Sequence, residues 1–266
     1  MFDGTLALVG AGNMGGAMLD GWLAGGLSGS GISVVDPSLA GERRARWERQ
    51  GVRTTDAAIA PDVMVLAVKP QIVAEVLPAA ARMAGPDTLV VSVAAGVPIA
   101  VLASAFGKAA IVRAMPNTPA QVARGVTVCC PTANVSPTQR EAVTALMRAI
   151  GTVEWIADEA LMDAVTGVSG SGPAYAFLLA ETLAAAGEKA GLPADLALRL
   201  ARETVAGAGE LLRRSDETPA ALRRNVTSPN GTTQAALDVL MAQGAFPALL
   251  EEAVARAAER SRELSS

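Results

Sequence analysis

Seven short runs of apolar and β-branched residues punctuate the first part of the chain: Leu6–Val9, Ile32–Val35, Val63–Val68, Thr88–Val93, Ala110–Ala114, Val126–Cys129 and Val153–Ile156. Runs such as "VMVLAV" and "TLVVSV" are apolar almost throughout. That is the pattern of strands covered on both faces, not of strands with one wet face. Helical or polar stretches separate them, and such alternation builds a parallel, doubly wound sheet. After about Asp158 the strand pattern stops. Helical segments continue to Ser266, punctuated by "SGSGP", "GLP", "ETP", "SPNG" and "GAFP". The pattern predicts an α/β chain with a Rossmann-like, doubly wound parallel sheet at 1–160 and a C-terminal all-helical domain at 161–266.

One helical segment stands apart. Pro173–Ala190, "PAYAFLLAETLAAAGEKA", is small and apolar nearly all round. A helix without a polar face is buried in its own core or against another subunit. In so short a helical half the second is favoured, which predicts an oligomer in which this helix packs against a partner chain. Its most apolar part, Ala174–Ala186, contains Glu181 and is too short to span a bilayer, so no membrane partner is expected.

Composition narrows the chemistry. Among 266 residues the net charge is −4 and no long Lys/Arg cluster occurs, which argues against nucleic acid. The opening "MFDGTLALVG" lacks a basic region and a cleavage site, so no signal peptide is expected. The only cysteines, Cys129 and Cys130, are adjacent and suit a reducing cytoplasm. Histidine is absent, which excludes a Ser-His-Asp triad, a His-ligated metal and an imidazole base. No metal site is expected, and the reactivity should come from a cofactor.

Gly10-Ala11-Gly12-Asn13-Met14-Gly15 is a G-x-G-x-x-G that follows a predicted strand and opens a helical pattern (Met18, Leu19, Trp22, Leu23). In that context it reads as a dinucleotide fingerprint. Gly10 permits the tight turn, Gly12 admits the pyrophosphate, and Gly15 lets helix and strand close. The second strand ends in Asp36-Pro37-Ser38, where an acidic residue takes the adenosine ribose hydroxyls and favours NADH. Ser38, Arg43 and Arg44 are near enough to help hold the additional phosphate of NADPH, so the choice stays open. Further strand ends at Ala67-Val68-Lys69-Pro70, Val93-Ala94-Ala95 and around Asn117 complete a nicotinamide crevice at the same sheet edge.

Asn225–Leu240, "NVTSPNGTTQAALDVL", places four hydroxyls and a Pro-Asn-Gly turn at the start of a helical pattern. Helix capping is one reading. An anion site is the other, built from first-turn N–H groups and the positive end of the helix dipole.

Taken in order, the fingerprint, "AVKP", "RAMPNTPA", "DAVTGVSGSGPAYAF" and "NVTSPNGTTQAAL" closely resemble pyrroline-5-carboxylate reductases over essentially the whole chain. The resemblance implies NADPH- or NADH-dependent reduction of L-1-pyrroline-5-carboxylate to L-proline, by enzymes that form dimers and often decamers. It implies that Ser228, Gly231, Thr232 and Thr233 surround the substrate's carboxylate and ring, with Thr233 catalytic. It also brings Glu159, and Asp216 or Glu217, near the ring nitrogen. Three features depart from the family pattern: Asn230 where glycine is commoner, a shortened loop after Thr55, and the acidic Asp36. Two rivals remain. A hydroxyacid dehydrogenase needs a lysine early in the long helix, whereas Lys189 lies late in it. A dinucleotide sensor would keep the fold and lose the chemistry.

Overall fold

The computed structural model describes residues 2–54 and 60–265. Residues 55–59, in the shortened loop after Thr55, lie outside the described part. All seven apolar runs form strands: β1 (Leu6–Val9), β2 (Ile32–Val35), β3 (Val63–Leu66), β4 (Leu89–Ser92), β5 (Ile111–Met115), β6 (Gly125–Pro131) and β7 (Gly151–Trp155). They make one sheet in the order β2-β1-β3-β4-β5-β6-β7. Strands β1, β3 and β4 are buried along their whole length, as their unbroken apolar runs require.

Strands β1 to β5 are mutually parallel, but the sheet is not parallel throughout. β6 pairs antiparallel with β5, and β7 then pairs parallel with β6. The connection from β5 to β6 holds only a tight turn at Thr118–Val122. A parallel return needs a crossover of a dozen or more residues, usually a helix, so the chain doubles back instead.

Both sheet faces are covered. Helices α1 (Asn13–Ala24), α2 (Gly41–Arg49), α3 (Val73–Met83), α4 (Ile99–Phe106) and α5 (Pro137–Arg148) divide between them. Met18, Leu19 and Trp22 of α1, Trp47 of α2, and Val143, Leu146 and Met147 of α5 pack on Leu6, Leu8, Val65 and Val91. On the other face Val73 and Leu77 of α3 and Leu102 of α4 pack on Ala7, Val9, Met64 and Val90. Each such side chain contributes about 1.5–3 kcal/mol on burial. Helix α5 opens with a reciprocal capping box between Ser136 and Gln139.

From Met162 on the described chain is helical: α6 (Met162–Val165), a π turn at Thr166–Gly170, α7 (Gly172–Lys189), α8 (Ala194–Arg214), α9 (Pro219–Asn225), α10 (Thr232–Leu240) and α11 (Phe246–Ser265). The chain divides into two compact units, one up to Gly170 together with the stretch from Ala257 on, the other Ser171–Arg256. The division thus falls later than residue 160. Met162 packs in a buried cluster with Val128 and Cys130, and Ser261 Oγ donates to Asp163 Oδ1 at 2.7 Å. These contacts hold α6 and the end of α11 in the first unit.

In the second unit the buried residues are three alanines, Ala184, Ala197 and Ala201. Its long helix α7 leaves Phe177 68 % and Leu178 57 % exposed. With α8 it frames an open groove of about 590 Å³ lined by Phe177, Ala180, Ala184 and Leu198. Among the described residues no helix is long and apolar enough to cross a membrane.

Candidate active site

The fingerprint turn follows β1. Gly10 has φ +92°, and a Cβ there would lie 2.7 Å from the Ala67 carbonyl, so only glycine fits. A Cβ on Gly15 would strike the Gly10 carbonyl, which makes this glycine the point of closure between helix and strand. Gly12 differs: a Cβ there meets nothing within 4 Å. It is the N-cap of α1 and no side chain caps it, while Asn13 and the half-buried Met14 open the helix. First-turn N–H groups of an uncapped helix beside open space suit a pyrophosphate, so the residues present fit a dinucleotide.

Asp36 stands at the end of β2. Its Oδ2 accepts the Ala11 N–H at 2.6 Å, and its Oδ1 accepts the Ser38 N–H and Oγ–H at 2.8 and 2.6 Å. Burial pushes its pKa up, but the bonds from Ser38 and Ala11 and the charge of Arg43 outweigh that and hold the carboxyl below its ordinary value. Pro37 links the two bonded residues. The neighbouring arginines separate. Arg44 pairs with Glu48 at 2.8 Å, whereas Arg43 stacks over Trp47 and reaches the Gly12 carbonyl at 3.3 Å.

The next strand ends line the same edge. Ala67 N donates to the Val9 carbonyl at 2.7 Å, and Val93 N to the Leu66 carbonyl at 2.9 Å. Val68 is half-buried, and Lys69 is exposed before the turn that Pro70 opens. Ala94 and Ala95 follow Val93 in the loop to α4. Asn117, expected to face the cofactor, spends both polar atoms of its side chain within the protein. Its Nδ2 donates to the Ser169 carbonyl at 3.1 Å, and its Oδ1 accepts the Val126 N–H at 2.9 Å. It ties the β5–β6 turn to the π turn.

Glu159, expected at the substrate, is likewise engaged. Its Oε1 accepts from Arg113 Nη1 at 2.7 Å and from the Ile99 N–H at 2.9 Å. Arg113 is 7 % exposed, and sequence reading missed it. A lone arginine inside an apolar strand was the available signal, since such a charge needs a partner. Nearby, burial raises the Cys130 thiol, helped by the charge of Glu159, and burial pushes Cys129 up to about 12. Neither thiol is a nucleophile at neutral pH.

In the second unit, the entrance to α10 is built as an open helix end. Gly231 is the N-cap and no side chain caps it, so capping does not account for the hydroxyls. Asn230 takes φ +56°, the left-handed conformation expected of the residue replacing glycine. The Gly231 N–H closes the turn on the Ser228 carbonyl at 3.0 Å. A Cβ on Gly231 would strike Ser228 Oγ, so glycine brings Ser228 against the helix end. Thr232 is exposed and Thr233 half-buried in the first turn. Of the two acids before α9, Glu217 accepts from Asn225 Nδ2 at 2.8 Å, while Asp216 is exposed. Lys189 ends α7, where a cation suits the helix dipole; a hydroxyacid dehydrogenase would need it early.

A glycine turn between strand and helix, an acid at the next strand's end and further strand ends on one edge define a dinucleotide-binding fold of the Rossmann type. Comparison with known proteins agrees. The family described as pyrroline-5-carboxylate reductase dimerisation matches residues 159–264, and the one described as NADP oxidoreductase coenzyme F420-dependent matches 5–96. A pyrroline-5-carboxylate reductase of Pseudomonas aeruginosa is 44 % identical over 266 residues, covering 98 % of this chain and 96 % of that protein. One from Escherichia coli is 40 % identical with 98 % of each chain covered. Among solved structures, the enzyme of Coxiella burnetii superposes with a TM-score of 0.92 at 35 % identity, covering 99 % of each chain. That of Plasmodium falciparum, with NADP bound, gives 0.84 at 30 % identity over the full length of both. The chain belongs to the pyrroline-5-carboxylate reductase family.

Proposed function

We propose that this chain reduces L-1-pyrroline-5-carboxylate to L-proline, the last step of proline biosynthesis, using NADPH or NADH. The observation that carries the reading is the uncapped, hydroxyl-rich entrance of α10 in a chain of this family. When bound, the reduced nicotinamide would supply a hydride to the carbon of the protonated imine, whose C=N π pair then becomes the lone pair of the ring nitrogen. The residues do the rest. Gly10, Ala11, Gly12, Asn13, Met14 and Gly15 hold the pyrophosphate, Asp36, Pro37 and Ser38 meet the adenosine ribose, and Ala67–Pro70, Val93–Ala95 and Asn117 shape the nicotinamide end.

Ser228, Gly231, Thr232 and Thr233 grip the substrate carboxylate through N–H and O–H donors. Charge-assisted bonds of this kind are worth about 1.5–3 kcal/mol each, and the dipole adds about 0.3–1. Thr233 orients the ring nitrogen, and Asp216 supplies a negative charge beside it. A protonated imine is already electrophilic, so positioning and charge complementarity suffice without histidine or metal.

A homodimer through the exposed face of α7 belongs to the same reading, supported by the family's dimerisation match. The homodimer and the decamer that the resemblance implies are told apart by the mass of the particle in solution. A reducing cytoplasm suits the two free thiols. The related NADP description supports NADPH, whereas Asp36 favours NADH. One assay tests the whole: nicotinamide absorbance followed with pyrroline-5-carboxylate, NADH and NADPH in parallel. Turnover with either supports the reading. Tight dinucleotide binding without turnover makes the chain a sensor instead.

A further inference from the structure

The loop between β4 and α4, Val93–Pro98, carries three residues assigned to the dinucleotide; Val93, Ala94 and Val97 are buried, but the hydrogen bonds inside the loop are long. The Val97 N–H reaches the Ala94 carbonyl only at 3.4 Å, and the Ala94 N–H reaches Ser92 Oγ at the same distance. Gly96 sits at φ +72°, a conformation that glycine adopts freely and does not enforce. Behind the loop, the N-cap residue of α4 is Pro98, which offers no side-chain cap. A shorter contact is made where the loop ends. Glu159 Oε1 accepts the Ile99 N–H at 2.9 Å and so caps α4 from another part of the chain, with its negative charge at the positive end of the helix dipole.

The same oxygen binds Arg113 Nη1 at 2.7 Å. Arg113 lies on β5, the strand that pairs with β4, and its side chain is 8 % exposed. A guanidinium so buried keeps its partner, because losing it leaves an uncompensated charge. The carboxylate is therefore anchored on the sheet and fastens the loop that follows the neighbouring strand.

We infer that Glu159 is a positioning residue for the dinucleotide, acting through Ile99 and the β4–α4 loop with Arg113 as its anchor, and that it does not contact the substrate ring nitrogen. The inference rests on the assignment of Val93, Ala94 and Ala95 to the dinucleotide under the proposed function. Glu159→Ala should weaken binding of NADH or NADPH, read by nicotinamide fluorescence without substrate, by about tenfold. Glu159→Gln keeps an oxygen that can accept the Ile99 N–H, so the loss there should be about threefold. The KM for pyrroline-5-carboxylate at saturating dinucleotide should stay within about twofold. An unchanged dinucleotide Kd in both variants overturns the inference: a raised KM then makes Glu159 a substrate residue, and a lowered unfolding temperature alone makes it a structural one. If the alanine variant does not fold, the Kd of the glutamine variant decides the matter. Turnover by the unmodified chain tests the proposed function separately, since the dinucleotide Kd is measured without it.

Discussion

Helices α1 and α10 open in the same way and stand on very different ground. Each has a glycine N-cap in extended conformation, Gly12 or Gly231, and no side chain caps either. Behind α1 lie the buried residues Gly15, Gly16, Met18, Leu19 and Trp22; α10 has no buried residue. The first entrance is braced by a closed core. The second belongs to a unit whose buried residues are three alanines, too little apolar burial to offset the entropy of ordering it. The exposed apolar face of α7 is the surface that a second copy covers under the proposed function. Dinucleotide binding should therefore depend on one chain, and substrate binding on the assembly.

The sharpest way to break that contrast is to charge α7. Phe177→Asp with Leu183→Asp should give monomers in light scattering and lower turnover by more than about a hundredfold, while dinucleotide affinity changes less than about threefold. Full activity in a proven monomer would show that the second unit braces itself. Next in size, Thr233→Ala should lower kcat/KM by roughly ten- to a hundredfold, about 1.4–2.7 kcal/mol, with dinucleotide Kd unchanged.

The two glycines of the first entrance sharpen the contrast further. Gly12→Val should leave the unfolding temperature unchanged and weaken dinucleotide binding by at least about tenfold, since its side chain enters open space. Gly15→Ala should cost roughly 1–3 kcal/mol of stability in denaturant titration, because its Cβ strikes the Gly10 carbonyl.

The smallest effect is in pH. Asp36 has a lowered pKa in the folded chain, so the stability it contributes is present above the ordinary carboxylate range and is lost as pH falls through the lowered value. Asp36→Asn should flatten the decline of unfolding temperature below about pH 4. An equal slope in both proteins would remove Asp36 from the brace around Ala11.

Local chemistry made much of this legible. Unbroken apolar runs became the seven strands, the glycine turn took the conformation that only glycine adopts at Gly10, and Asn230 went left-handed where the turn demanded it. Exposure of α7 in a single chain was likewise readable from a helix without a polar face. Less legible were the reversal of β6, the lock of Asn117 on Ser169 and the commitment of Glu159 to Arg113.

The sequence by itself determined which segments are strands and which turns need glycine. These depend on backbone sterics and on residues a few positions apart. Only the tertiary structure decided what each polar side chain binds, because Glu159 meets Arg113 46 positions away and Asn117 meets Ser169 52 positions away. Such partners are chosen by the sheet that brings them together: a buried charge or amide takes whichever complementary group the fold places within reach.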